Sequence, residues 1–94
     1  MIEINKLETA SEMLKAIAHP IRIAIVGMLD DNKKLNVTQI HEALNVEQAV
    51  ASHHLSILKN KGVLTSEREG KNCYYSLKHQ RLSQIVACID KCQV

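Results

Sequence analysis

Residues 45–62, NVEQAVASHHLSILKNKG, constrain this chain more than any other stretch. Wound as a helix at about 100° per residue, positions 47–60 separate into two faces. Val50, Ala51, Leu55, Ile57 and Leu58 fall on one side with His54 among them, and Ala49, Ser52, His53, Ser56 and Asn60 fall on the other. The first face requires a core. The second is small or hydrogen-bonding, with His53 its one bulky member, and such a face can enter a DNA major groove and offer donors and acceptors to base edges. Ahead of it, residues 38–44 read as a short helix, and Asn45-Val46 leaves room only for a tight turn. Asn tolerates the left-handed backbone that such a turn requires. Short helix, tight turn and longer helix predict a helix-turn-helix. The competing reading of the same pattern is an ordinary amphipathic surface helix.

The remaining chain has to supply the core for that inner face, and composition limits how. At 94 residues it makes one small domain, and with no Phe or Trp and only Tyr74 and Tyr75 as aromatics the core must be aliphatic. A small aliphatic domain often completes its core by dimerising. No apolar run approaches the roughly 20 residues that span a bilayer, so no membrane is expected. The N-terminal MIEINKLETASEM is acidic and polar, unlike a signal peptide. Three cysteines without a CxxC suggest neither a disulfide framework nor a zinc knuckle, and fit a reduced, cytoplasmic protein. Residues 1–31 hold three Lys/Arg against five acids, net −2, while residues 32–94 hold nine against five, net +4. The helix-turn-helix lies in the basic part, which is the asymmetry a DNA reader needs.

Along the chain, Leu7, Ala10, Leu14 and Ile17 recur at helical spacing and predict an amphipathic helix over 7–18. His19-Pro20 interrupts it, because proline disfavours helical geometry just before itself and suits the first turn of a new helix. Residues 21–29 are apolar nearly all round and predict a centrally buried helix. A charged loop over 30–34 leads to a short strand over 35–37, with Thr38 the expected N-cap of the next helix. Beyond Gly62 the period changes: 63–68 and 72–77 are strand-like runs flanking Glu69-Gly70-Lys71. That is a β-hairpin with Arg68 and Lys71 near its tip, a wing able to reach phosphates or the adjacent minor groove. Leu82, Ile85, Val86 and Ile89 give a last helix over 79–92 with one apolar stripe, read as a dimer seam shared with Leu7 and Leu14 of the first helix. The fold class expected is therefore mainly α with a small β-hairpin wing, a winged helix-turn-helix of about five helices and a two- or three-stranded antiparallel sheet. It is expected to occupy 1–94 as a single DNA-binding domain whose terminal helices form the dimer interface.

Three segments, in order, resemble a known family. LKAIAHPIRIAIVGML is similar to the opening of the ArsR/SmtB-type winged-helix repressors, where an A-x-x-x-P-x-R pattern joins two helices. LNVTQIHEALNVEQAVASHHLSILKNKGVL resembles the family's helix-turn-helix, including its S-x-H-L core at Ser52, His54 and Leu55, and TSEREGKNCYYSL resembles its wing. The resemblance covers roughly residues 7–77. It implies a homodimeric, sequence-specific DNA-binding repressor released from its operator by a metal, metalloid or thiol-reactive signal. The sensing sites of such relatives do not carry over. The C-x-C positions of thiolate sensors are Asn36 and Thr38 here. The last-helix ligand positions of zinc sensors fall on His79, Arg81 and Cys92, with the fourth beyond Val94, and arginine cannot bind a cation. The second helix holds no cysteine to match the persulfide sensors.

Gln48, Ala49, Ser52 and His53 are expected to read base edges of a double-stranded operator, with Thr38, Ser56 and Lys59 on the phosphate backbone and Arg68 and Lys71 contacting it from the wing. His54, on the flank of the packing face, is a structural or phosphate-contacting residue. Cys88 and Cys92, four apart on the last helix, read as buried small hydrophobes at the seam. The alternative is a thiol or metal sensor, with His79 a further weak metal candidate. Cys73 reads as a strand residue. No cofactor and no catalytic site are expected: no paired acids flank a Gly-rich loop and no nucleophile has a base beside it. A small-molecule or redox effector is open, and the remaining alternative is a winged-helix module for protein–protein interaction.

Overall fold

The computed structural model describes residues 1–92. Among these the element order is α1 (Ile4–Ile17), α2 (Pro20–Met28), β1 (Leu35–Asn36), α3 (Val37–Leu44), α4 (Gln48–Asn60), β2 (Leu64–Glu69), β3 (Asn72–Leu77), a 3-10 turn (Gln80–Leu82) and α5 (Ser83–Lys91). The last two residues of the expected 1–94 domain lie outside the described ones. The helices and the antiparallel sheet, ordered β1-β3-β2, form a winged helix-turn-helix. The core is aliphatic: Ile25, Val26, Leu29, Ile40, Leu55, Leu58 and Val63 are wholly shielded from solvent.

The break between α1 and α2 follows from one proline. His19, held extended ahead of Pro20 (φ −159°, ψ 136°), is not helical, and its ring Nδ1 accepts the Ile21 N–H at 3.1 Å as a side-chain N-cap. Pro20 then opens α2, where its missing N–H costs nothing. Of the all-apolar α2, Ile25 and Val26 are buried, while Ile21, Ile23 and Met28 are half-buried against the same core.

The last helix differs from expectation at both its start and its packing. It opens as the 3-10 turn, and α5 proper begins at Ser83, whose hydroxyl donates to the Gln80 carbonyl at 2.9 Å. Its stripe, expected to be a dimer seam throughout, is divided. Leu82 and Val86 pack against the protomer's own core, Ile85 is half-buried, and Ile89 is exposed. Gly27 makes the close approach possible, since a Cβ there would lie 3.1 Å from Val86 Cγ1. On α1, Ile4, Leu7 and Leu14 are all exposed.

The chain leaves α4 through a Schellman motif. The Val63 N–H donates to the Leu58 carbonyl at 2.9 Å and the Gly62 N–H to the Lys59 carbonyl at 3.1 Å, with Gly62 at φ +78°. Val63 and Leu58, brought together by that cap, are both fully buried. The cap aims β2 out of the helix and so fixes where the wing starts. Nothing lies within 4 Å of a Cβ built on Gly62, so the cost of a side chain there is backbone strain alone. Gly62→Ala should lower stability by about 1–2 kcal/mol in urea unfolding without changing the m-value.

Candidate nucleic-acid interface

The turn into the helix pair is held by a capping box. Asn36 Oδ1 accepts the Gln39 N–H at 2.8 Å, and Gln39 Oε1 accepts the Asn36 N–H at 2.9 Å. Thr38 is therefore not the N-cap expected of it: the cap is Asn36, two residues earlier, and Thr38 sits exposed in the first turn of the helix. The N-x-x-Q spacing was the sequence signal for this. At the other end Asn45 takes the left-handed conformation (φ 54°, ψ 45°), and the Val46 N–H donates to the His41 carbonyl at 3.1 Å. His41 Nδ1 in turn lies 3.1 Å from the Val46 carbonyl, closing the turn from both sides. Val46 packs against the core, which anchors the turn between α3 and α4.

Glu47 caps α4 by backbone only, extended and with no side-chain hydrogen bond. Ala51, His54, Leu55 and Leu58 are buried, Ile57 is half-buried, and Gln48, Ala49, Val50, Ser52, His53, Ser56, Lys59 and Asn60 are exposed. One assignment changes here and one open choice is narrowed. Val50, expected on the packing face, is 36% exposed at the edge of the apolar arc. His54 is 92% buried (8% exposed), so its ring packs inside instead of facing a phosphate. The remaining expected contacts on α4 all lie on its open side.

His54 meets His19 with ring centroids 4.5 Å apart and His53 at 5.4 Å. Its Nδ1 and the Arg22 Nε are buried with no hydrogen-bond partner among the described residues. Burial pushes the His54 imidazole below its ordinary pKa of 6.5, and the like charges of His19, Arg22 and His53 push it the same way.

The wing is a hairpin in the register Arg68↔Cys73 and Glu69↔Asn72, leaving Gly70-Lys71 as a two-residue tip with Gly70 at φ +63°. Arg68 and Lys71 are exposed. Glu67 and Glu69, on the same strand face, both meet Lys34 from the loop before β1, at 3.1 and 3.4 Å. Hydrogen bonds from Lys34 to Glu67 and then Glu69 raise its pKa and hold it charged. Sequence reasoning missed Lys34. The signal was the i, i+2 spacing of two glutamates, which places them side by side and in want of a cation.

Cys73 is half-buried on β3, and Cys88 and Cys92 are exposed on the protomer, not buried in it. Among the described residues no three His, Cys, Asp or Glu side chains converge as a metal-ligand set, so His79, Cys88 and Cys92 are not gathered. No helix among the described residues is long and apolar enough to cross a membrane.

The buried His54 gives a pH dependence with a defined sign. In the unfolded chain the ring titrates near its ordinary value of 6.5, whereas the folded protein resists the proton. Stability is therefore fully present above about 6.5 and declines as pH falls through the lowered folded-state pKa. Urea midpoints at about pH 7.5 and about pH 5.5 should fall for the wild type, and fall less for His54→Gln.

Comparison with known proteins agrees with this geometry. Residues 19–66 match the family model described as bacterial regulatory protein, arsR family. The chain is 39% identical over 92 residues to the transcriptional repressor PagR of Bacillus anthracis, covering 98% of this chain and 92% of that one. The crystal structure of PagR superposes with a TM-score of 0.83, covering 93% and 99% of the two chains. The chain is 44% identical over 80 residues to the repressor SmtB of Mycobacterium tuberculosis, covering 85% of this chain and 58% of SmtB. A solution structure from Mycobacterium bovis, described as a homodimeric winged helix-turn-helix DNA-binding domain, superposes at TM-score 0.78 with 26% identity, covering 92% and 79%. These relatives are regulators and not enzymes, and the chain belongs to the arsR family of bacterial regulatory proteins.

Proposed function

We propose that the protein is a cytoplasmic homodimeric repressor that binds a double-stranded DNA operator, with α4 in the major groove and the wing alongside. The observation that carries this reading is the outer face of α4, on which every side chain from Gln48 to Asn60 that is exposed is small, polar or basic, apart from Val50. Gln48, Ala49, Ser52 and His53 are its base-reading residues. Thr38, Ser56 and Lys59 hold the backbone beside them, and Arg68 and Lys71 hold it from the wing. Lys34 assists by neutralising Glu67 and Glu69, the two carboxylates that flank Arg68 along β2. The domain is taken to run over 1–94, and its dimer interface is the exposed apolar surface of the terminal helices: Leu7 and Leu14 with Ile4 on α1, and Ile85 and Ile89 on α5. Leu82 and Val86 contribute from behind, by fixing α5 on α2. The effector class is open in this reading, and the alternative is a thiol- or metal-responsive sensor using Cys88 on α5 and Cys92 at its C-cap, both exposed on the protomer.

Two measurements test it. In sedimentation at micromolar concentration the wild type should be a dimer, and Leu14→Glu with Ile89→Glu should give a folded monomer, since both positions are open on the protomer. A stable wild-type monomer would remove the dimer. In fluorescence-anisotropy titrations on DNA upstream of its own gene and on a scrambled duplex, Ser52→Ala or His53→Ala should cost about 1–3 kcal/mol on the specific duplex and little on the other. Lys71→Ala should weaken both about equally and flatten the log K against log salt slope by roughly 1 for each phosphate the variant no longer neutralises. Weak wild-type binding to both duplexes, insensitive to these changes, would move the protein-interaction reading ahead.

A further inference from the structure

In a recognition helix the N-terminal half reaches the base edges, and in α4 the exposed side chains of that half are Gln48, Ala49, Val50, Ser52 and His53. None is Arg or Lys; the one cation of α4 other than histidine, Lys59, stands in the last turn. The major-groove edges of the bases sort these side chains. Guanine shows two acceptors, O6 and N7, and is matched by the donors of arginine or lysine. Adenine shows an acceptor beside a donor, which a carboxamide matches with two hydrogen bonds, and thymine adds a C5-methyl that takes an apolar contact. Ser52 and His53 can each donate or accept, and so serve either pair.

Val50 decides the matter. A β-branched aliphatic side chain left 36% exposed, at one edge of the open face and about 100° round the axis from Ala49, gives the first turn of the helix two separate apolar groups. The two residues stand three and four positions ahead of His53, hence one turn up and to either side of it. We infer that the first turns of α4 read A·T base pairs, Gln48 by hydrogen bonds to adenine and the apolar side chains of Ala49 and Val50, each on its own side of the helix, by packing on thymine C5-methyl groups. The inference rests on the DNA-binding reading above and names the class of sequence that reading requires. Glu47, the N-cap residue, has the chemistry of a cytosine reader, but it precedes the first turn. The A·T pairs are those under residues 48–50.

The test starts from a pool of duplexes with a randomised core, bound to the full chain, recovered and sequenced. The enriched half-site should hold adjacent A·T pairs. In a selected duplex, each half-site thymidine is then replaced in turn by deoxyuridine, which keeps the base pairing and removes only the methyl group. At the contacted thymidine this should weaken wild-type binding about fourfold per half-site, the worth of one buried methyl-sized group. Val50→Ala, checked by urea unfolding to be folded at the binding temperature, should weaken binding to the thymidine duplex by a similar factor and be indifferent to deoxyuridine. Gln48→Ala should relax the preference for adenine. An enriched half-site with G·C pairs under these residues overturns the inference and leaves the DNA-binding reading standing. So does a wild type indifferent to deoxyuridine at every half-site thymidine. A pool with no enriched sequence overturns both.

Discussion

The burial of one strip along α4, Ala51, His54, Leu55 and Leu58, is what the rest of the molecule depends on. α1, α2, α3 and β2 all pack on α4. A helix gripped by four elements cannot rotate about its own axis, so burying the inner strip also sets the direction of the outer one. Truncating a buried Leu to Ala typically costs about 2–5 kcal/mol, whereas a surface substitution stays within about 0.5. The helix therefore has two kinds of sensitivity, separated by face: inner changes remove the fold, and outer changes alter only what the fold presents.

Backbone devices at the ends of the elements determine where that outer face sits relative to the wing. The Asn36–Gln39 box fixes the start of α3, left-handed Asn45 turns the chain into α4, and Gly62 turns it out again into β2. The Lys78 N–H donates to the Val63 carbonyl at 3.0 Å, so the far end of β3 is tied to the residue at which the wing departs. Lys34 ties its other side, through exposed ion pairs of little intrinsic strength. Their effect is on the charge the wing shows: with Glu67 and Glu69 engaged, Arg68 and Lys71 are the charges left without an ion-pair partner there among the described residues.

Most of this was legible in periodicity and punctuation. Apolar spacing located the helices, the shift to strand-like runs located the hairpin, and Pro20, Asn45, Gly62 and Gly70 marked the turns. What escaped depended on neighbours that a helical wheel does not contain. Val50 and His54 both lie at the flank of the packing face; tertiary packing left the valine open, and it resolved the histidine, read as structural or phosphate-contacting, to the inside. The stripe of α5 looked too large for so small a domain because the wheel gave no sign that Gly27 would let Val86 against α2. Lys34 meets carboxylates more than thirty positions away in sequence, a pairing that only the sheet order creates.

The histidine pair shows how closely inside and outside are joined. His53 and His54 are adjacent, yet one is open to solvent and the other is buried against His19. His19 is also the residue whose ring caps α2. A single imidazole thus touches both the start of α2 and the underside of α4, and no carboxylate is among the groups that act on the buried ring. Of the carboxylates on the elements packed on α4, Glu12 of α1 meets Lys15 and Lys61, and Glu67 and Glu69 of β2 meet Lys34, while Arg22 of α2 is a cation that acts on the ring. A neutral ring lets His54 fill the gap between helices as a flat, largely apolar plate. Its position is set by shape and by exclusion of charge, which is why the same residue type does opposite things at two neighbouring positions.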